Sequence, residues 1–303
     1  MLALANYVMR GRLAAIAVLV ASSFAALLLP PLTSPLAYVG GGALGLVTLR
    51  RGAGEGGIVL AGGLAGMSLL GLTLNDAPAV LALTGLIQWL PLWLVAMVLR
   101  LTVSWRRAVQ AILGLGAALV LLQYLLLGDP GQWWEAQLRP VVERMQASGG
   151  QDLEAMLGRI AGWMPALIAT ALSIGVTLSL VLARAWQSQL YNPGGFGKEF
   201  RELRLGNSTA LLTVAMVLIA AATEGVLGEL AGQLVWILAA GCLLQGIAVA
   251  HGIVNRLGKA RGWLIAMYVL LVFVQPYSGL VLALTGLADN WLDFRQRVAT
   301  PPA

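Results

Sequence analysis

Residues 162–187 read GWMPALIATALSIGVTLSLVLARAWQ, and no charge interrupts them before Arg184. An α-helix rises about 1.5 Å per residue, so about 20 apolar residues cross the roughly 30 Å hydrocarbon core of a bilayer. The stretch therefore predicts a membrane-spanning helix. The rest of the chain has the same character. Of its 303 residues, 59% are hydrophobic and 11% charged, and the mean hydropathy is +0.84. A soluble domain carries about 25% charged residues. With less than half that share, a chain this long cannot cover a water-facing surface. Its solvent is lipid. The 37 glycines suit helices that approach closely in a membrane.

Reading outward from this stretch gives an all-α polytopic transmembrane bundle of about ten spans. They lie near 12–29, 34–50, 56–74, 78–100, 106–127, 162–187, 208–224, 231–254, 261–275 and 278–294. Lys and Arg concentrate in cytoplasmic loops. With both termini cytoplasmic, sixteen of the nineteen Lys and Arg fall inside, leaving Arg139, Arg144 and Arg159 outside. Merging the last two spans through Pro276 would move Arg295 and Arg297 to the wrong side. The chain is read as one membrane domain, 1–303, with two larger extramembrane pieces. Residues 129–162 form external interfacial helices, one face carrying Trp134, Leu138, Val141, Val142 and Met145, the other Leu153, Met156, Leu157 and Ile160. Residues 184–207 form a cytoplasmic elbow with a basic amphipathic segment.

The net charge of +6 does not argue for a nucleic-acid partner, because the charges sit in short clusters between apolar stretches. Cys242 is the only cysteine and His251 the only histidine, so no disulfide forms within the chain and the usual zinc ligand sets are lacking. No metal site, cofactor or catalytic motif is expected, and the chain is not read as an enzyme. Arg10 and Arg12 followed by an apolar run resemble a signal peptide. The run ends in Leu-Pro-Pro without an Ala-x-Ala site and is read as a retained first helix.

Candidate functional residues fall in three groups. Polar side chains within spans, Gln88, Thr170, Ser173, Thr177, Gln245 and His251, are candidates for binding a solute. Hydroxyls at i, i+3 and i+7 can line a path or bond back to their own helix. His251 can carry protons near neutral pH or serve as a hydrogen-bonded structural residue. The second group is two motifs on the cytoplasmic side. In Asn192-Pro193-Gly194-Gly195-Phe196-Gly197-Lys198-Glu199-Phe200-Arg201, a glycine-rich turn enters a basic helix expected over 198–205. It forms either an anion-binding nest with Lys198 and Arg201 or a rigid elbow. Near the C-terminus, Asp289 and Asp293 stand one turn apart and repel unless a cation intervenes. Arg297 can supply Asp293, and basic groups of the elbow can pair with Asp289, beside Arg295. Third, Ala17, Ala21 and Ala25 form a stripe on the first span, suited to packing within the chain or to docking a membrane-protein partner.

At the elbow and at Gly286-Leu287-Ala288-Asp289-Asn290-Trp291-Leu292-Asp293-Phe294-Arg295, the chain resembles the DUF2232 (YybS-like) family of bacterial multispanning membrane proteins. That family is remotely similar to the substrate-binding S-components of energy-coupling-factor vitamin transporters. Those dock on a transmembrane partner through an Ala-xxx-Ala surface on their first helix, and Ala17, Ala21 and Ala25 are the matching positions here. S-components have six spans rather than ten, and no vitamin-binding residue carries over. The many glycine-rich spans with polar groups inside point to a bacterial cytoplasmic (inner) membrane protein, transporter-like, that binds or moves a small solute through its bundle. The alternative is a membrane scaffold or regulator that recruits partners at the cytoplasmic face.

Overall fold

The computed structural model describes residues 2–28, 33–73, 78–147, 153–260 and 262–298. These form fourteen helices. They are α1 (Leu2–Val8), α2 (Arg12–Leu28), α3 (Leu36–Arg51), α4 (Ala53–Thr73), α5 (Pro78–Thr102), α6 (Trp105–Leu127) and α7 (Pro130–Ala147), followed by α8 (Leu153–Tyr191), α9 (Gly195–Arg201), α10 (Asn207–Ala222), α11 (Gly225–Arg256), α12 (Gly262–Phe273), α13 (Tyr277–Leu292) and α14 (Phe294–Arg297). Each of the ten segments read as spans falls on a helix. Residues 29, 74 and 261 of those segments lie outside the described ones.

Five helices, α4, α5, α6, α8 and α11, are long and apolar enough to cross a membrane, and α2, α10 and α12 are shorter apolar helices. Large apolar side chains cover the exterior. Leu101, Leu125 and Phe273 are each at least 80% exposed, and α12 buries none of its residues. Such a surface is stable only against lipid. The protein is a polytopic helical membrane protein.

Helix α8 organises the bundle. It packs against α3, α5, α6 and α11. Helix α3 can sit deep beside it because its glycines remove side-chain bulk: every residue from Gly40 to Leu49 is buried. A Cβ on Gly45 would stand 2.8 Å from that of Ala183. In the other half, α11 packs against α13, α10 and α6. The glycines of α4 serve the same purpose, with a Cβ on Gly63 falling 2.6 Å from Leu19 Cδ2 of α2.

Three features bear on the reading of the sequence. The short helix α1 was not anticipated; Ala5 and Val8 are fully buried where it meets α2, α3 and α8. Residues 153–161 are not a separate external helix but the first turns of α8, which runs unbroken through Pro165 to Tyr191. Nothing in Ile160-Ala161-Gly162 interrupts the hydrogen-bond ladder there. The break expected at Ser148-Gly149-Gly150 lies outside the described residues. On α2, Ala17 and Ala21 are exposed and Ala25 half-buried, while Ala15, Leu19, Ser23 and Ala26 are buried. The alanine stripe faces outward rather than into its own chain.

Candidate functional site

The two motifs singled out in the sequence meet at one end of the bundle. Helix α8 ends at Tyr191, and Gly194, at φ +86°, turns the chain into α9. Ser188 secures the turn: its hydroxyl donates to Asn192 O (2.7 Å) and accepts from the Phe196 N–H (3.1 Å). Helix α9 stops at Arg201, short of the expected residue 205, because Leu203 and Leu205 turn inward and are buried.

The buried, non-helical stretch 203–206 carries backbone groups that need partners. Side chains supply them. Gln245 Oε1 accepts from the Leu205 N–H (2.8 Å), and Gln110 Nε2 donates to Leu205 O (3.0 Å). Asn290 Oδ1 accepts from the Gly206 N–H (2.9 Å), and Arg106 Nε donates to Arg204 O (2.9 Å). Arg295 Nη1 donates to both Arg201 O (2.7 Å) and Leu203 O (3.0 Å). Gln245, a candidate solute ligand, is thus occupied in holding the elbow. Gln110 and Arg106 escape a sequence reading because their partners are backbone atoms nearly a hundred residues away.

Asp289 lies at the centre, fully buried. Its carboxylate accepts from Arg295 Nη2 (2.5 Å), Gln245 Nε2 (3.3 Å) and the Phe294 N–H (3.1 Å). Arg204 Nε approaches it at 3.8 Å and the same guanidinium pairs with Asp293. Arg204, not Arg297, is the cation between the two aspartates. Asp293 adopts a left-handed conformation, φ +47°, that ends α13 and caps α14, and Arg297, one turn beyond it, returns its backbone N–H to Asp293 O (3.3 Å) but makes no ion pair with it. Glu199 pairs with Arg184 (2.5 Å) and accepts from Trp105 Nε1 (3.3 Å).

At the glycine turn, read as either an anion nest or a rigid elbow, the N–H groups of Gly195, Phe196 and Lys198 bond to Asn192 O, Ser188 Oγ and Gly194 O. Lys198 and Arg201 make no ion pair among the described residues. His251 joins a row of rings: Trp105, Phe196, Phe200, His251 and Tyr268 follow one another at centroid distances of 5.6–5.8 Å. Its Nδ1 lies 2.9 Å from Ile247 O and its Nε2 3.5 Å from Tyr268 Oη.

The other polar span residues lie elsewhere. Ser173 and Thr177 bond back to Ala169 O and Ser173 O (2.8 Å each), and Thr170 Oγ1 is buried without a partner among the described residues. Gln88 borders a cavity of about 340 Å³ between α2, α3, α5 and α8. Its lining is mainly apolar, from Leu92, Leu172 and Val176, with Tyr38, Gln88, Trp89 and Ser179 as its polar-bearing side chains beside Ser34. Trp89 is 1% exposed, and its indole N–H has no hydrogen-bond partner among the described residues. The side chains of Tyr38, Gln88 and Ser179 form no hydrogen bond there either. Gly41 and Gly175 thin the wall contributed by α3 and α8.

Residues 141–290 match the family model described as a predicted membrane protein, DUF2232. Over those residues the chain belongs to the DUF2232 family. Among curated proteins and among solved structures, nothing matches it. The DUF2232 region runs from within α7 to Asn290, so it takes in the elbow and Asp289 and ends just before Asp293 and Arg295. Among the described residues no three His, Cys, Asp or Glu side chains gather to hold a metal ion. The chemistry available to the DUF2232 elbow is charge pairing and hydrogen bonding. That of the cavity is binding without charge.

Proposed function

We propose that this protein is a solute-binding membrane protein of the transporter-like class, a carrier rather than an enzyme. In this reading its ten spans lie in a bacterial inner membrane, with both termini in the cytoplasm. The solute seat is the cavity between α2, α3, α5 and α8. One observation carries the proposal: Trp89, whose buried indole N–H has no partner among the described residues, lines a space of about 340 Å³. An unpaired buried donor costs about 1–3 kcal/mol, and a ligand acceptor would remove that cost. With no charged group on the wall, the cavity suits a neutral molecule with an apolar body and a few hydrogen-bonding groups.

Thermal-shift measurements on the detergent-purified protein, against a panel of neutral vitamins, nucleosides and ions, test this. A ligand raises stability by mass action. At least one neutral member should raise Tm, and Trp89→Phe, which keeps the ring and loses the donor, should reduce its affinity about tenfold. If no member stabilises the protein, or if wild type and Trp89→Phe respond alike, the proposal fails.

A scaffold reading draws on the outward-facing Ala17 and Ala21. It predicts that crosslinking from the exposed face of α2 in cells captures one defined membrane protein.

A further inference from the structure

Beside the elbow knot a second cavity, of about 530 Å³, opens between α9, α11 and α14. It shares no residue with the seat proposed above. Lys198, Arg201, Arg204, Arg256 and Arg295 line it, with Glu202 as the only carboxylate on the wall. Arg204 and Arg295 are held by Asp289 and Asp293. Counting both aspartates and Glu202 against the five cations leaves two positive charges in excess.

These charges are not placed at random. Arg256 is directed toward Arg295, its Nη1 donating to Arg295 O (2.5 Å). Arg295 is 4% exposed, yet its Nε has no hydrogen-bond partner among the described residues. Gly252 makes room for it, since a Cβ there would stand 3.0 Å from Arg295 Cδ. Lys198 and Arg201 face no carboxylate within ion-pairing distance among the described residues. Asn255 borders the same space, and its side-chain amide has no partner among the described residues. A packed set of like charges is unfavourable by itself. An anion of matching charge removes the repulsion, and guanidinium groups bind phosphate oxygens through paired N–H donors.

The geometry points to a phosphate-binding site in this cleft, for a phosphate carrying two negative charges on either a soluble molecule or a lipid headgroup. A dianion equals the excess charge. Lys198 and Arg201, which make no ion pair among the described residues, supply the strongest contacts, and the buried Arg295 forms part of the wall. The inference stands apart from the neutral seat: either can fail without the other.

The test uses the full-length protein in a neutral detergent, with inorganic phosphate as one probe, and in nanodiscs of phosphatidylcholine with or without phosphatidic acid as the other. Binding is read from the shift in Tm with probe concentration. Stabilisation by inorganic phosphate supports the site and identifies a soluble phosphate as a sufficient ligand. Stabilisation only by phosphatidic acid supports it and identifies a lipid headgroup. In either case Lys198→Gln with Arg201→Gln should weaken binding at least about tenfold, while Lys198→Arg with Arg201→Lys retains most of it. Arg139→Gln, on α7, removes a charge outside the cleft and should leave binding unchanged. The inference is overturned if neither probe shifts Tm, if the paired glutamine variant binds like wild type, or if Arg139→Gln loses as much.

Discussion

Asp289 is the residue on which the elbow end depends. It receives Arg295, Gln245 and the Phe294 N–H inside a buried cluster. Removing one partner of a buried ion pair leaves the other charged and unpaired, at about 3–5 kcal/mol. Asp289→Asn should therefore lower the unfolding free energy by about that amount, measured by denaturant or thermal unfolding in detergent. Replacing both partners, Asp289→Leu with Arg295→Met, should cost less than the two single changes added together. Additive losses would show that the pair is not coupled. The sequence allowed an elbow cation to be expected at Asp289, because opposite charges at one membrane face tend to pair. It misassigned the partner of Asp293, because Arg204 is brought to it by folding from 89 residues away, while Arg297 is the nearest cation along the chain.

At the scale of elements, the crossing of α11 and α13 is set by Gly246 and Gly286. A Cβ on Gly286 would fall against Cys242 O and 2.6 Å from Gly246 N, both backbone atoms that cannot move aside. Gly286→Ala should force the helices apart and cost about 1–3 kcal/mol. Gly114→Ala on α6, where nothing lies within 4 Å, should be neutral or stabilising, since alanine favours helix by up to about 1 kcal/mol. Comparing Tm for the two variants checks this; equal losses would mean that the crossing is not at backbone contact. Helix positions themselves were legible, because length and hydropathy report on lipid contact. The continuity of α8 from Leu153 was not. Two apolar faces separated by a glycine read equally well as two helices or as one.

For the whole molecule, the distribution of Lys and Arg sets the proposed sidedness. In the proposed ten-span topology sixteen of nineteen fall on one side, and positive charge is retained in the cytoplasm. In a Cys242→Ser background, Glu143→Cys on α7 should react with an impermeant maleimide in intact cells, and Lys198→Cys on α9 only after lysis. Labelling of both, or of Lys198→Cys alone, would reject the ten-span topology. Of the candidate site, Gln88 could be named from the sequence because a glutamine inside a span is conspicuous. Trp89 could not, since an indole in an apolar helix usually packs as one more hydrophobic side chain.

The sequence alone determined the solvent of this protein and the segments that meet it, because a shortage of charge and the length of apolar runs are one-dimensional properties read against the thickness of a bilayer. Which polar groups are spent on structure and which are left to bind was decided only by the tertiary structure. Gln245 holds the backbone of Leu205, while the Trp89 indole N–H has no partner among the described residues. A hydrogen bond forms between groups brought together by folding, across separations that no local pattern encodes.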